Sequence, residues 1–316
     1  MKLDLSKKIV EFLSQTPEQK FTAREIAQWI FDNNPEAMDA KRKRSTAKDN
    51  KLNDDKALIQ QIVAEIGSQR PLVQKKYPSV KTTEERPKKY YFTEKTDVQE
   101  VLEAEQVNAT DTPTLSNHYL EKDLYKMLIE FLYAEQNIYA MRINEKRSKN
   151  TYGTGANKWL HPDIVAMEDL TSDWNEEIKG VVSEYSDKKT KLWSFEVKVL
   201  INRSNLRESF FQTVSNSSWA NYGYLVASQI EGHDTLKELR MLCKSYGIGL
   251  IKIDTANHLE SEFLIPATEK HNIDWDIANR LALENKDFRI YVDNIRSFYR
   301  MGKVKETDWG ISQSDD

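Results

Sequence analysis

Two acids and a lysine set inside apolar runs are the residues of this chain whose types and spacing could carry chemistry. The tripeptide acid-x-Lys occurs eight times, beginning at Glu18, Asp39, Asp49, Asp54, Glu177, Asp187, Glu196 and Glu284, so the tripeptide alone carries no information. Only Glu196-Val197-Lys198 lies within an apolar run, Leu192–Ile201. Strand alternation there puts Trp193, Phe195, Val197, Val199 and Ile201 on one face and Glu196 with Lys198 on the other. Ionised groups on a buried strand are costly unless paired or bound to a cation. The run Lys158–Met167 holds Asp163 among apolar neighbours in the same way. A carboxylate facing Glu196 would repel it, and Lys198 supplies one positive charge against two negative ones. A divalent cation with oxygen ligands resolves this: Asp163, Glu196, the Val197 carbonyl and waters make up a Mg²⁺ shell, which Mn²⁺ can also fill. Such an ion eases ionisation of a bound water and stabilises a pentacovalent phosphate. Lys198 beside it would orient or deprotonate that water, or neutralise developing charge, and these roles stay open. A buried structural ion pair is the bland alternative.

Two further polar residues fit the same pocket. Glu121 borders the inward face of the amphipathic stretch Asn117–Tyr133, one turn from Leu124, Tyr125 and Leu128. It either joins the acids or simply favours a helix N-terminus. Gln212 follows Phe210-Phe211 on the helix after the Glu196 strand, where it could hydrogen-bond a water or phosphate or be a surface glutamine. His161 reads as structural and is not counted as a ligand.

The elements that must position these groups begin at Asn117. A helix to Tyr133 is followed by strands at Trp159–Met167, Gly180–Tyr185 and Leu192–Ile201. A helix containing Leu206, Phe210, Phe211 and Val214, capped by Ser204, leads to a strand at Tyr222–Ser228. A helix at His233–Ser245, a strand at Gly247–Asp254 and a mostly helical Asp274–Met301 complete the chain. This is an α/β core whose central strands are buried on both faces.

The first 95 residues read as three helices and a hairpin, the order of a winged helix-turn-helix. Helix one carries Leu5, Ile9, Phe12 and Leu13 on one face. Helix two opens with a capping box of Thr22 and Glu25 and stops before Asn34-Pro35. Helix three carries Leu58, Ile59, Ile62, Val63 and Ile66 and ends at Gly67. The hairpin strands are Leu72–Tyr77 and Lys88–Thr93. Helix three would offer Gln60, Gln61, Gln69 or Arg70 to base edges in a major groove. Lys75, Lys76, Lys81, Arg86, Lys88 and Lys89 on the hairpin suit phosphate contact. Lys41-Arg42-Lys43-Arg44 lies in a polar insertion over 36–53. Each cluster taken singly is more often a solvated face; together with the helix order they favour nucleic acid, though winged helices also bind proteins.

Charge divides the chain at the same place. Residues 1–95 hold 20 Lys and Arg against 14 Asp and Glu, a net of +6, leaving 26 against 36, a net of −10, for residues 96–316. A basic first domain points to an anionic partner. Thr96–Ser116, with five acids and no basic residue, reads as an acidic linker that starts with a helical turn, so the domains are 1–95 and 117–316. The 32 aromatic residues among 316 are too many for a disordered chain. One cysteine, Cys243, excludes a disulfide framework and a Cys-based zinc site. Mean hydropathy is −0.70. There is neither a signal pattern nor a run of ~20 apolar residues, so a soluble cytoplasmic protein without membrane contact is expected.

Asp163 followed by Glu196-Val197-Lys198, within an αβββαβ order, resembles the PD-(D/E)XK nuclease superfamily over residues 117–254. His161-Pro162-Asp163 matches its Pro-Asp element, and the helix with Gln212 sits where many members carry a supporting glutamine. The 33 positions from Asp163 to Glu196 require an inserted strand or hairpin. Phe21–Ile30, Ile59-Gln60-Gln61-Ile62 and Arg86-Pro87-Lys88-Lys89-Tyr90-Tyr91 are similar to the HARE-type winged helix. The combination resembles the bacterial HrgA-type proteins, which occupy sites of restriction genes. The resemblance implies a Mg²⁺-dependent DNA endonuclease that captures double-stranded DNA through the winged helix. Asp163, Glu196 and Lys198 would cleave, with Glu121 and Gln212 in support. A double-strand break usually needs two active sites, which favours a homodimer. The rival expectation is a non-catalytic DNA-binding or regulatory protein with a nuclease-like scaffold.

Overall fold

The computed structural model describes residues 3–44, 54–84, 87–106, 119–149, 160–185, 188–232 and 234–310. It is a mixed α/β chain with eleven α-helices and a mixed six-stranded sheet among the described residues. Two compact units are formed, Met1–Glu100 with Ile230–Thr235, and Val101–Gln229 with Leu236–Asp316. No helix among the described residues is long and apolar enough to cross a membrane.

The first unit contains α1 (Leu5–Leu13), β1 (Phe21–Thr22), α2 (Ala23–Asn33), α3 (Pro35–Arg44), α4 (Asp55–Lys76), β2 (Val80–Thr82), β3 (Lys89–Phe92) and the start of α5 (Asp97–Gln106). At the start of α2, Thr22 Oγ1 accepts the Glu25 N–H at 3.3 Å and Glu25 Oε2 accepts the Thr22 N–H at 2.7 Å, a reciprocal capping box. The three strands form an antiparallel sheet in the order β1-β3-β2, with Phe21 opposite Tyr90 and Lys81 opposite Tyr91. The apolar stripes of α1, α2 and α4 bury Leu13, Ile26, Ile30, Leu58 and Ile66 with Val80 of the sheet. Each such side chain contributes about 1.5–3 kcal/mol by leaving water.

Several sequence expectations are corrected here. Helix three does not end at Gly67: α4 runs to Lys76 because Val73 continues its buried face. Pro71 lies inside it, and the hydrogen bond Pro71 cannot donate is lost where Gly67 and Pro71 are both exposed. Leu72–Tyr77 is therefore mostly helix, not a strand. The hairpin is β2–β3, and the two-residue β1 extends it to three strands. Part of the insertion over 36–53 is α3, with residues 45–53 outside the described residues. In the expected linker, Asp97–Gln106 is helical and residues 107–116 lie outside the described residues.

The second unit contains α6 (Glu121–Gln136), β4 (Ile138–Arg142), β5 (Ile164–Asp169), α7 (Glu176–Glu184), β6 (Thr190–Ile201), α8 (Leu206–Asn216), β7 (Tyr222–Ile230), α9 (Thr235–Tyr246), β8 (Gly249–Lys252), β9 (Glu262–Ile265), α10 (Trp275–Glu284) and α11 (Lys286–Met301). The sheet order is β4-β5-β6-β7-β8-β9. Strands β4, β5 and β6 are antiparallel neighbours, β7 and β8 are parallel, and β9 is antiparallel to β8. One core packs Leu124, Leu128 and Phe131 of α6 against Trp193, Phe195, Val197 and Val199 of β6. A second core packs Phe288 and Tyr291 of α11 against Val165, Met167 and Leu192. Gly249 permits the β7–β8 pairing, because a Cβ there would come within 2.1 Å of the Tyr224 ring.

The elements run α6-β4-β5-α7-β6-α8-β7, so the expected helix–strand–strand–strand–helix–strand order is interrupted by α7, and its segments differ from those expected. The first strand is Ile138–Arg142, where the sequence pattern shows no strand. The Asp163 strand begins at Ile164, and Trp159 lies outside the described residues. Gly180–Tyr185 is not a strand: residues 180–184 are the second half of α7, so a helix rather than a strand or hairpin fills the interval between Asp163 and Glu196. Asn205, not Ser204, occupies the N-cap of α8, and the Ser204 hydroxyl donates to Asn202 Oδ1 at 2.7 Å instead.

Candidate active site

Antiparallel pairing brings Asp163 to β6. Asp163 stands one residue before β5, with its N–H donating to the Phe195 carbonyl at 3.1 Å and its carbonyl accepting from Ile143 N–H at 2.8 Å. The backbone is thus held on both sides, and the Asp163 side chain turns to Val197, whose N–H donates to Oδ2 at 2.7 Å. Val197 packs in the α6 core, and alternation sends Glu196 and Lys198 to the opposite face.

Glu196 is 1% exposed. Lys198 Nζ donates to its Oε1 at 2.7 Å, and Asn216 Nδ2 donates to its Oε2 at 2.6 Å. Asn216 is the last residue of α8, and its own Oδ1 is buried without a hydrogen-bond partner. Glu121 is the first residue of α6 and receives a hydrogen bond from the Tyr125 hydroxyl, one turn later. The Arg142 guanidinium lies over the Tyr125 ring, 4.6 Å from its centroid.

The electrostatics follow from this crowding. Burial pushes the Asp163 carboxyl well above the usual carboxylate range, and the charges of Glu196 and Glu121 push it further; Lys198 and the Val197 N–H pull the other way. Burial also raises Glu196, against Lys198 and Asn216. Burial on its own would lower Lys198, but the charges of Glu196, Asp163 and Glu121 outweigh it and hold the ammonium above the ordinary lysine value. Burial and the neighbouring Asp163 and Glu121 charges raise the Tyr125 hydroxyl, so it stays a donor.

Asp163, Glu196, Lys198 and Glu121 therefore act on one another as a cluster. Gln212 lies partly exposed one turn before Asn216, and it is Asn216 that reaches Glu196. The sequence gives no direct signal for the parts played by Asn216 and Tyr125; each stands four residues after a residue that it does single out. His161 Nε2 lies 3.0 Å from Ser148 Oγ and burial lowers its basicity, which keeps it a neutral structural ring. Cys243 is buried, its thiol pushed up to about 12, which rules out a thiolate nucleophile at neutral pH. Among the described residues no group of three or more His, Cys, Asp and Glu side chains is placed to hold a metal ion. What the cluster offers a cation is the carboxylates of Asp163 and Glu196, with Glu121 adding a third negative charge.

The basic residues of the first unit are not equally available. Gln60, Lys75 and Lys76 are exposed on α4, the two lysines in its last turn rather than on a hairpin. Lys81 is held between Asp97, at 2.6 Å, and Glu100. Lys88 pairs with Glu84 at 3.0 Å, while Lys89 is partly exposed on β3. Gln61 donates to Glu65 at 3.2 Å. Gln69 and Arg70 are partly buried, and Arg70 Nη1 has no hydrogen-bond partner. Lys41 is paired with Glu65 and Arg42 with Asp55. Arg86 lies outside the described residues.

No family model, curated protein or solved structure matches this chain.

Proposed function

We propose that the chain is a divalent-metal-dependent DNA endonuclease of the restriction type. The observation that carries this reading is the seating of the Asp163 carboxylate on the Val197 N–H, beside the Glu196–Lys198 pair. Burial and like charges hold Asp163 protonated beyond its ordinary range, so the donor set favours a cation that would restore both carboxylates to their ionised form. Asp163, Glu196 and the Val197 carbonyl would hold Mg²⁺ or Mn²⁺. When bound, such an ion supplies a more acidic water and offsets charge on the scissile phosphate.

The side chains divide the remaining work. The acids around Lys198 hold its ammonium above the ordinary lysine value, which supports charge neutralisation among its open roles. Asn216 fixes one Glu196 oxygen and thereby the orientation of the carboxylate. Glu121 adds negative charge at the pocket edge, and Gln212 would hydrogen-bond substrate. The order α1-β1-α2-α4-β2-β3, with α3 inserted, supports a winged helix that binds double-stranded DNA through Gln60, Lys75 and Lys76. This agrees with the resemblance to PD-(D/E)XK nucleases and to the HrgA-type proteins.

A second reading, a DNA-binding protein with a nuclease-like scaffold, is favoured by one observation. Both oxygens of Glu196 already have protein donors. Cleavage of methylated and unmethylated supercoiled plasmid with Mg²⁺, Mn²⁺ or EDTA, using wild type beside Glu196→Ala, separates the two. Metal-dependent nicking that disappears in the variant is the expected result. Retention of DNA binding with no cutting on any substrate would favour the scaffold.

A further inference from the structure

Helix α7, which stands in sequence between Asp163 and Glu196, has no buried residue among those whose burial is described. Ile178 and Val181 within the helix, and Trp174 and Tyr185 just beyond its two ends, are all exposed, Tyr185 by 82%. A nine-residue helix is marginal in water by itself, and Gly180, Val181 and Val182 weaken this one further. The nine-residue α1, by contrast, buries Leu5, Ile9 and Leu13. Asn175 Oδ1 caps α7 by accepting the Ile178 N–H at 3.0 Å, and the described residues leave Ile178 and Val181 exposed.

The sequence around them is acidic. Residues 173–185 carry Asp173, Glu176, Glu177 and Glu184 against Lys179, a net of −3. That charge is unfavourable for a nucleic acid or an anionic membrane and favourable for a basic, partly apolar surface. Helix α11 of the same unit has that character. It exposes Arg289, Arg296 and Arg300 together with Val292 and Tyr299. The Tyr299 hydroxyl of α11 lies 3.3 Å from Lys189 N and 3.2 Å from Thr190 Oγ1, at the start of β6, a few residues along the chain from the end of α7. An acidic, partly apolar surface and a basic, partly apolar surface on one unit suit each other across a two-fold axis.

We infer that α7 of one copy docks on α11 of a second copy, forming a homodimer through the second unit. This goes beyond the nuclease reading and does not depend on it. The pairing is electrostatic and apolar together, so association weakens with added salt without vanishing.

The test is the mass of the full chain, 36.9 kDa as a monomer, by sedimentation equilibrium over a concentration series. Three chains are compared with wild type: Glu176→Lys with Glu177→Lys, Arg289→Glu with Arg300→Glu, and all four together. These positions are exposed, and far-ultraviolet circular dichroism checks that each variant folds. The expected result is a wild-type dimer, an approximately tenfold or greater rise in Kd for each double variant, and recovery in the fourfold variant. A monomeric wild type, a dimer indifferent to the reversals, or failure of the fourfold variant to recover would overturn the inference.

Discussion

Asp163 Oδ2 accepts the Val197 N–H at 2.7 Å, a bond across 34 positions of sequence that seats one acid beside the register of the next strand. The bond favours the ionised form, yet burial and the Glu196 charge win and leave the Asp163 carboxyl raised. In the unfolded chain Asp163 ionises in the ordinary carboxylate range, and in the fold it does so at higher pH. The folded state thus binds more protons between those two values, and stability falls as pH rises through that window. Asp163→Asn cannot ionise and can still accept from Val197. In EDTA it is more stable than wild type near neutral pH, by about 1.4 kcal/mol for each pH unit by which the fold raises the Asp163 carboxyl, and the gain disappears below the ordinary carboxylate range. A neutral-pH melting temperature at or below that of wild type would contradict a costly charge at this position.

The same crowding predicts how a divalent cation acts. An ion that binds the fold alone stabilises it by about 2.7 kcal/mol at a concentration of 100 Kd. Mg²⁺ or Mn²⁺ raises the wild-type melting temperature, and the rise is absent in Asp163→Asn and in Glu196→Ala. Protons compete for the carboxylates, so the rise shrinks as pH falls toward the ordinary carboxylate range. Equal metal-induced shifts in wild type and both variants would place the ion elsewhere.

Under the nuclease proposal Asn216 is a positioning residue, acting through the 2.6 Å hydrogen bond that it donates to Glu196. Asn216→Ala removes a donor from a buried carboxylate and should cost roughly 1–3 kcal/mol of stability. It should also raise the Glu196 carboxyl further, because the Asn216 hydrogen bond is among the influences that lower it. The acidic limb of the pH profile for plasmid cleavage then moves to higher pH. An unchanged profile with reduced stability would leave Asn216 a purely structural residue.

The strand that carries Glu196 was legible because its apolar run is long and its alternation unbroken, and the structure puts Trp193, Phe195, Val197 and Val199 in one core as the alternation requires. Asn216 was not legible, because its approach to Glu196 depends on how α8 packs across the sheet and α8 carries other polar residues. Gly180-Val181-Val182 misled in the opposite way: these residues favour a strand or a turn by type, while the Asn175 cap and the lack of a sheet partner make the segment a helix. Gly67 and Pro71 hid the continuation of α4, because the breaker residues lie on its exposed side and Val73 keeps the buried stripe going. At Gly67 and Pro71 propensity failed because packing on the other face of α4 decided the outcome.

Lysines that look alike in the sequence should separate in a DNA-binding titration. Lys81 sits between Asp97 and Glu100, and their attraction outweighs burial and raises its ammonium. Lys81→Gln leaves those acids without their cation, so it should lower thermal stability while leaving the salt slope of DNA affinity close to that of wild type. Lys75 and Lys76 are exposed in the last turn of α4, where they also favour the helix C-terminus. Replacing both by Gln should cost little stability and flatten the plot of log affinity against log salt by about 0.9 for each phosphate no longer neutralised. A fluorescence-anisotropy titration of a short duplex at several salt concentrations reads both slopes. If Lys81→Gln flattened the slope as much as the α4 pair, the ion pairs of Lys81 would have to open on DNA, and the division between structural and phosphate-binding lysines would fall.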